Sequence, residues 1–282
     1  MKKKNMKKLF CTALLAASLA GCTAAAQTTG NTDTSLNIQE ITDGSQDTQS
    51  TATPETGKQN GGQASQNTTA AAKQTLITDG ASLFTDRDNA QTANLSEAET
   101  YTVKDGENIT ITKAGVYVIK GEAKNVTIRI EAEDEDKVQI VLDGVTITND
   151  STPVIYVVNA DKVFVTTTDS ENKLSVTGTF TADGDTNTDA VIFSKDDLVL
   201  NGTGTLTISS TNNGISSHDD LKITGGTYVI TSTEDCIEAN DSIAISAGTF
   251  NLTSSKDAIH CENDEDDTVG YIYISGGSFT IN

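Results

Sequence analysis

From Leu198 onward, apolar side chains recur in pairs two residues apart, separated by short polar turns. Leu198 and Leu200, Leu206 and Ile208, Leu221 and Ile223, Tyr228 and Ile230, Ile243 and Ile245, and Phe250 and Leu252 are such pairs. Alternation with period two marks a strand with one buried face, and Asp219-Asp220 and Gly225-Gly226 mark turns between strands. The pairs themselves repeat. Ile215, Ile237 and Ile259 stand 22 residues apart, with Ile192 a further 23 upstream, and Gly226 and Gly248 keep the same step. Seven residues are inserted between Cys261 and Gly270, after which Ile272, Ile274, Phe279 and Ile281 resume the period.

Three short strands per repeat, kept in register, describe one coil of a parallel β-helix. The expected fold is all-β: a parallel β-helix of about 22 residues per coil, each coil about 4.8 Å above the last. A single coil cannot bury its own apolar edge, so the repeat has to continue. The Leu-x-Leu and Asn signature of leucine-rich repeats is absent, as are the paired glycines of calcium-binding nonapeptides. Before Thr188 the period loosens, although Val126-Ile128-Ile130, Val138-Ile140-Leu142 and Val163-Val165 still alternate. Residues 76–125 are expected to form an N-terminal cap and first strands, and 126–282 the helix proper. The pattern runs to Asn282 without a capping segment, so a truncated helix and one that docks another copy are both open.

The register also bears on the cysteines. Cys236 shares a column with Gly214 and Ala258, and Cys261 with Ser217 and Ala239. In adjacent coils the two are offset by three residues, about 10 Å along the strand, beyond the roughly 7 Å that a disulfide tolerates between Cα atoms. No disulfide is expected.

The N-terminus reads differently. Lys2, Lys3, Lys4, Lys7 and Lys8 precede an apolar run from Leu9 to Ala20 that is short for a membrane span and suits a signal peptide. Leu19-Ala20-Gly21-Cys22 looks like a bacterial lipobox, which makes Cys22 the expected lipidation site and residues 1–22 the lipoprotein signal. The protein is thereby expected at the cell surface, on the outer side of a bacterial membrane, held by acyl chains. Residues 23–75 are rich in Thr, Gln, Ala, Ser, Asn and Gly and almost free of apolar groups, the composition of a disordered tether. Its r.m.s. reach would be about 40 Å.

Composition agrees with turn-rich β-structure: there is no Trp and there are two Pro. Removal of the signal peptide leaves 14 basic residues against 40 acidic ones. Nucleic acid and anionic lipid faces are therefore poor partners on charge grounds.

The acids fall into columns. Asn213, Asp235 and Asp257 precede the first strand of successive coils; Asp196, Asp219, Asp241 and Asn263 follow it; Asp197, Asp220 and Asp264 form a third line, interrupted by Ser242. Between the first two lines the outward position carries Ser216, Glu238 and His260. Carboxylates about 4.8 Å apart repel by about 0.9 kcal/mol in water and about 3.5 kcal/mol at an effective dielectric of 20. Solvated turns in which Asp bonds its own backbone, protonation of one member of a pair, and a bound Ca²⁺ that takes six to eight oxygens are three remedies. Calcium is the expected cofactor, with Asp197, Asp219, Asp220, Asp235, Glu238, Asp241, Asp257, Glu262, Asn263 and Asp264 as candidate ligands. Zinc and copper are not expected, because His218 and His260 stand in different columns.

Several segments resemble a family of secreted clostridial carbohydrate-binding-domain proteins: GVYVIKG, VQIVLDGVTI, YVVNADKVFVTTTDSENKLS, SKDDLVLNGTGTL, NNGISSHDDLKITGGTY and GYIYISGGSF. The resemblance covers about residues 100–282. It implies a calcium-bearing right-handed β-helix similar to pectate lyases, and binding of cell-wall or plant polysaccharide, acidic sugars included. The chain departs from the family's usual Asp-Gly-Ile at Asn213, Cys236 and Ala258, which puts close backbone packing at those coils in question.

Whether the chain is an enzyme is left open by the residues, with binding favoured. A β-helix lyase needs a base, usually Arg or Lys, beside calcium, and the chain has only Arg87 and Arg129, both before the regular coils. The paired aspartates of β-helix hydrolases are mimicked by Asp196-Asp197 and Asp219-Asp220, without the accompanying His and Arg elements. Against binding stands the lack of Trp as a stacking platform, which leaves Phe193, Tyr228 and Phe250 as candidates if they face outward. A calcium-stiffened structural spacer is the third reading.

Overall fold

The computed structural model describes residues 80–282. The expected signal peptide, Cys22 and the linker of residues 23–75 lie outside the described residues. Twenty strands and one 3₁₀ turn, Gly80–Leu83, make up the regular structure, and there is no α-helix among the described residues. The chain is a parallel β-helix of seven coils. One strand from each coil forms a seven-stranded sheet, and the other two lie in a thirteen-stranded sheet that turns a corner of the stack. The corner is made by Lys137–Asn149, whose first half pairs with Lys162–Thr167 and whose second half pairs with Glu171–Val176.

The columns read from the apolar pattern are the observed register. Ile192, Ile215, Ile237 and Ile259 are successive partners. So are Leu198, Leu221, Ile243 and Ile272, and Leu206, Tyr228, Phe250 and Phe279. The seven-residue insertion is taken up between Ile259–Cys261 and Tyr271–Ile274 without disturbing the pairing on either side.

Because like residues stack on like, the interior is a set of continuous apolar rows rather than a mosaic. Tyr228 and Phe250 lie with ring centroids 5.3 Å apart, and Phe250 and Phe279 4.6 Å apart and nearly parallel. Tyr228 donates its hydroxyl to the Gly225 carbonyl at 2.8 Å, which satisfies the one polar atom the row buries. These rings do not face outward: Tyr228 and Phe250 are core residues and Phe193 is fully buried. The aromatic platform that the sequence left possible is therefore not offered by them.

The coil-start column explains its own departures from glycine. A Cβ on Gly214 would meet the Cys236 carbonyl oxygen at 2.5 Å and Ile230 Cγ2 at 2.6 Å, so this coil requires glycine. One coil further on, Cys236 is fully buried, with Ser232 Oγ 3.2 Å and the Thr253 carbonyl oxygen 3.4 Å from its sulfur. It fills a small slot and is not half of a bridge: both Cys236 and Cys261 are free, and Cys261 stands opposite Ala239.

One element has no counterpart in the repeat. Residues 85–91 run as a strap across the flank of three coils. The Arg87 guanidinium lies over the Phe164 ring at 4.4 Å. The Asp88 carbonyl accepts from Asn201 Nδ2 at 3.2 Å and from the Thr224 hydroxyl. Gln91 accepts from the Gly202 amide at 3.0 Å and donates to the Thr224 carbonyl at 3.0 Å. The strap lands on a polar row, Gln139–Thr166–Asn201, whose side chains already bond one another from coil to coil.

The close approach at Gly214 carries a stability prediction. Gly214→Ala should cost about 1–3 kcal/mol, the usual penalty of overpacking, whereas Ala258→Gly should cost about 1 kcal/mol or less. Urea unfolding of the two variants measures this; equal losses would contradict the assigned contact.

Candidate functional site

The acid columns are built by the same register as the core, and each column handles its charge differently. In the coil-start column, side chains bond the backbone of the next coil. Asn213 Oδ1 accepts the Asp235 amide at 2.9 Å, and Asp235 Oδ1 accepts the Asp257 amide at 2.8 Å. Asn213 thus replaces an aspartate while keeping the acceptor, and Asp257, the last of the line, is exposed.

In the second column Asn263 Nδ2 donates to Asp241 Oδ1 at 2.8 Å, while Asp196 Oδ2 accepts the Ala160 amide at 3.0 Å. Asp219 lies between them. Burial, followed by the carboxylates of Asp241, Asp197, Asp196 and Asp220, pushes it up to about 6. In the third line Asp197 is raised chiefly by burial, although Lys162 lies 3.2 Å away, and Asp220 accepts from Ser242 Oγ at 2.5 Å. Tyr271, and not Asp264, stands opposite Ser242, because the insertion carries Asp264 out of the column. Asn263 instead accepts the Glu265 and Asp266 amides at 3.0 and 2.9 Å and so folds the inserted loop.

A second grouping crosses columns. Asp235 is fully buried at the start of its coil, and its Oδ2 lies 3.2 Å from Nδ1 of His260, one coil and three residues on. Glu238 stands directly under His260 in the sheet, and one ligand atom from each of Asp235, Glu238 and His260 falls within 4.8 Å of the others. Glu238 accepts from Asn213 Nδ2 at 2.8 Å and is raised by burial and by Asp189. Lys256 Nζ is 3.0 Å from Asp235 Oδ2, and Glu262 Oε2 is 3.4 Å from His260 Nε2.

Glu238, His260, Glu262, Asn263 and His218 line an open depression of about 510 Å³. Burial holds His218 below its ordinary range. The columns had placed the two histidines apart; the turn geometry brings them to one depression. Asp189 and Lys256 were not legible as participants, since both lie outside the acid columns.

Upstream on the same sheet, Arg129 stacks over Tyr156 at 4.7 Å and pairs with Glu131 at 2.5 Å and Asp183 at 3.0 Å. Tyr156 meets Phe193 edge to face at 5.7 Å, and Phe193 meets His218 at 4.9 Å. Arg129 and Glu238 are four pairing steps apart, about 19 Å at the usual strand spacing. Arg87 is held in the strap. Neither guanidinium reaches the acid columns.

Comparison with known proteins places the chain in a family. The family model of carbohydrate-binding domain-containing proteins matches residues 105–282, and the chain belongs to that family. A carbohydrate-binding domain-containing protein of Acetivibrio thermocellus is 34% identical over 143 residues, which is 49% of this chain and 47% of that protein. The chain thus spans about half the length of the curated relative it matches. Among solved structures, the polysaccharide lyase-like protein from C. thermocellum, studied as a gadolinium derivative, aligns with a TM-score of 0.61 and 32% identity. The alignment covers 64% of this chain and 81% of that one.

Asp219 gives a pH prediction. An acid whose pKa is raised by folding, from 3.8 to about 6, binds its proton more tightly in the folded state. The stability this group contributes is fully present below about 4 and is lost as pH rises through about 6. Thermal melting in EGTA between pH 4 and 7.5 should show this decline, and Asp219→Asn should flatten it. An unchanged profile in the variant would remove Asp219 as its source.

Proposed function

We propose that the protein is a cell-surface binder of acidic polysaccharide, such as polygalacturonate, that uses Ca²⁺ as the cation shared between protein and sugar carboxylates. Acyl chains on Cys22 and the tether of residues 23–75 would display the β-helix on the outer face of a bacterial membrane. The observation that carries the calcium reading is the crowding of carboxylates around Asp219, with Asp241, Asp197, Asp196 and Asp220 all bearing on it. Aspartate oxygens on successive coils are the donor set a hard cation takes.

An acidic protein repels an acidic glycan unless a cation intervenes, and a bound divalent ion inverts the local charge logic. With the interior rings unavailable, charge bridging rather than ring stacking accounts for recognition. The reading assigns no catalytic residue: Arg129 pairs with Glu131 and Asp183, Arg87 lies over Phe164, and Lys162, Lys222 and Lys256 each pair with a carboxylate.

Affinity electrophoresis in polygalacturonate gels tests the proposal. Retention should appear with millimolar calcium and vanish in excess EGTA, and Asp219→Asn combined with Asp241→Asn should weaken it about ten-fold or more. Undiminished retention in EGTA would sink the reading. A calcium-dependent rise in melting temperature with no glycan retained would assign the ion to a structural spacer instead.

A further inference from the structure

We propose that Asp235, Glu238 and His260 form a second metal site, for a borderline divalent transition ion such as Zn²⁺, separate from the aspartate line around Asp219. Calcium and magnesium take oxygen donors, whereas an imidazole ligand belongs to zinc, copper and nickel. The presence of His260 changes the class of ion. The inference does not rest on glycan binding.

The geometry is close to that of a loaded site. Donors about 2.0–2.1 Å from a tetrahedral zinc lie roughly 3.3 Å from one another. His260 Nδ1 and Asp235 Oδ2 are 3.2 Å apart. Glu238, with its donor atom within 4.8 Å of both, has a flexible side chain that needs a small movement to close the third edge.

The surroundings orient the three groups. Asp235 is fully buried, its Oδ1 is held by the Asp257 amide, and only Oδ2 is directed at the imidazole. Asn213, a neutral amide, positions Glu238. The far ring nitrogen of His260 faces Glu262 at 3.4 Å. A carboxylate on the second nitrogen is the arrangement that fixes the tautomer of a metal-bound histidine and leaves the other nitrogen free to coordinate. Two carboxylates on the two nitrogens of one imidazole are thus given different roles, Asp235 as fellow ligand and Glu262 as orienting acceptor.

Lys256 Nζ, 3.0 Å from Asp235 Oδ2, occupies the carboxylate in place of an ion. Its side chain is 50% exposed and can swing into solvent, so it acts as a displaceable competitor. The open depression lined by His218 and Glu262 supplies the entry path and room for a further ligand.

Calorimetric titration of the full chain with Zn²⁺, in millimolar calcium, tests this. One zinc ion should bind despite the calcium; His260→Ala should abolish that binding, and Glu262→Gln should weaken it about ten-fold. Lys256→Met should tighten it, and His218→Ala should leave at least the Asp235–Glu238–His260 ligation in place. X-ray absorption at the zinc edge on the wild type and on His218→Ala should show imidazole scattering, which keeps the test decisive if His260→Ala fails to fold. Unchanged zinc binding in folded His260→Ala, displacement of zinc by calcium, or an all-oxygen shell would each overturn the proposal. Glycan retention, measured with calcium and without zinc, is read separately, so either reading can fail alone.

Discussion

Parallel hydrogen bonding between successive coils is the constraint on which everything else in this molecule depends. It places each residue over its counterpart one repeat earlier, about 4.8 Å away, and it does so for every side chain, whatever its chemistry. For apolar residues the consequence is favourable, because the isoleucine rows and the Tyr228–Phe250–Phe279 stack bury surface continuously. For acids the same geometry is a cost. The protein accepts it repeatedly on one side of the coil and resolves it locally, column by column.

Those local resolutions separate structural acids from chemically available ones. Where a carboxylate accepts a backbone amide from the next coil, as Asp235 Oδ1 does, its charge is used to hold the chain just before a strand begins. Where an asparagine or serine interrupts the line, as Asn263 and Ser242 do, a donor replaces one negative charge. Asp219 has neither remedy among its column neighbours, and burial first, then the surrounding carboxylates, raise its proton affinity. The Asp235–Glu238–His260 group arises at a different place, where the coil turns from column to sheet and residues offset by 25 positions meet.

Much of the fold was legible because period two within a strand and period 22 between strands are properties of the sequence alone. The pairing of Ile215 with Ile237 and of Leu221 with Ile243 follows directly. The candidate site was legible as columns but not as contacts. A one-dimensional register assigns Asp235 and His260 to different lines, and only the bend between them, with Asp235 turned under the first strand, reveals that they touch. Asp264 was misplaced in its column for a related reason: an insertion has no register, and Tyr271 takes the position instead. The strap was invisible, since Arg87, Asp88 and Gln91 carry no periodicity and their partners lie more than 70 residues away.

That strap also works as a ruler. In a repeat protein, duplication of one coil is the simplest way to lengthen the molecule, and the apolar rows would tolerate it. The strap's contacts, however, are spaced to the distance between the coils of Phe164, Asn201 and Thr224. A coil added between them would shift one partner by a full layer and strip Asp88 or Gln91 of its bonds. Descendants of this chain are therefore free to grow where the strap does not reach, and are held to a set length where it does.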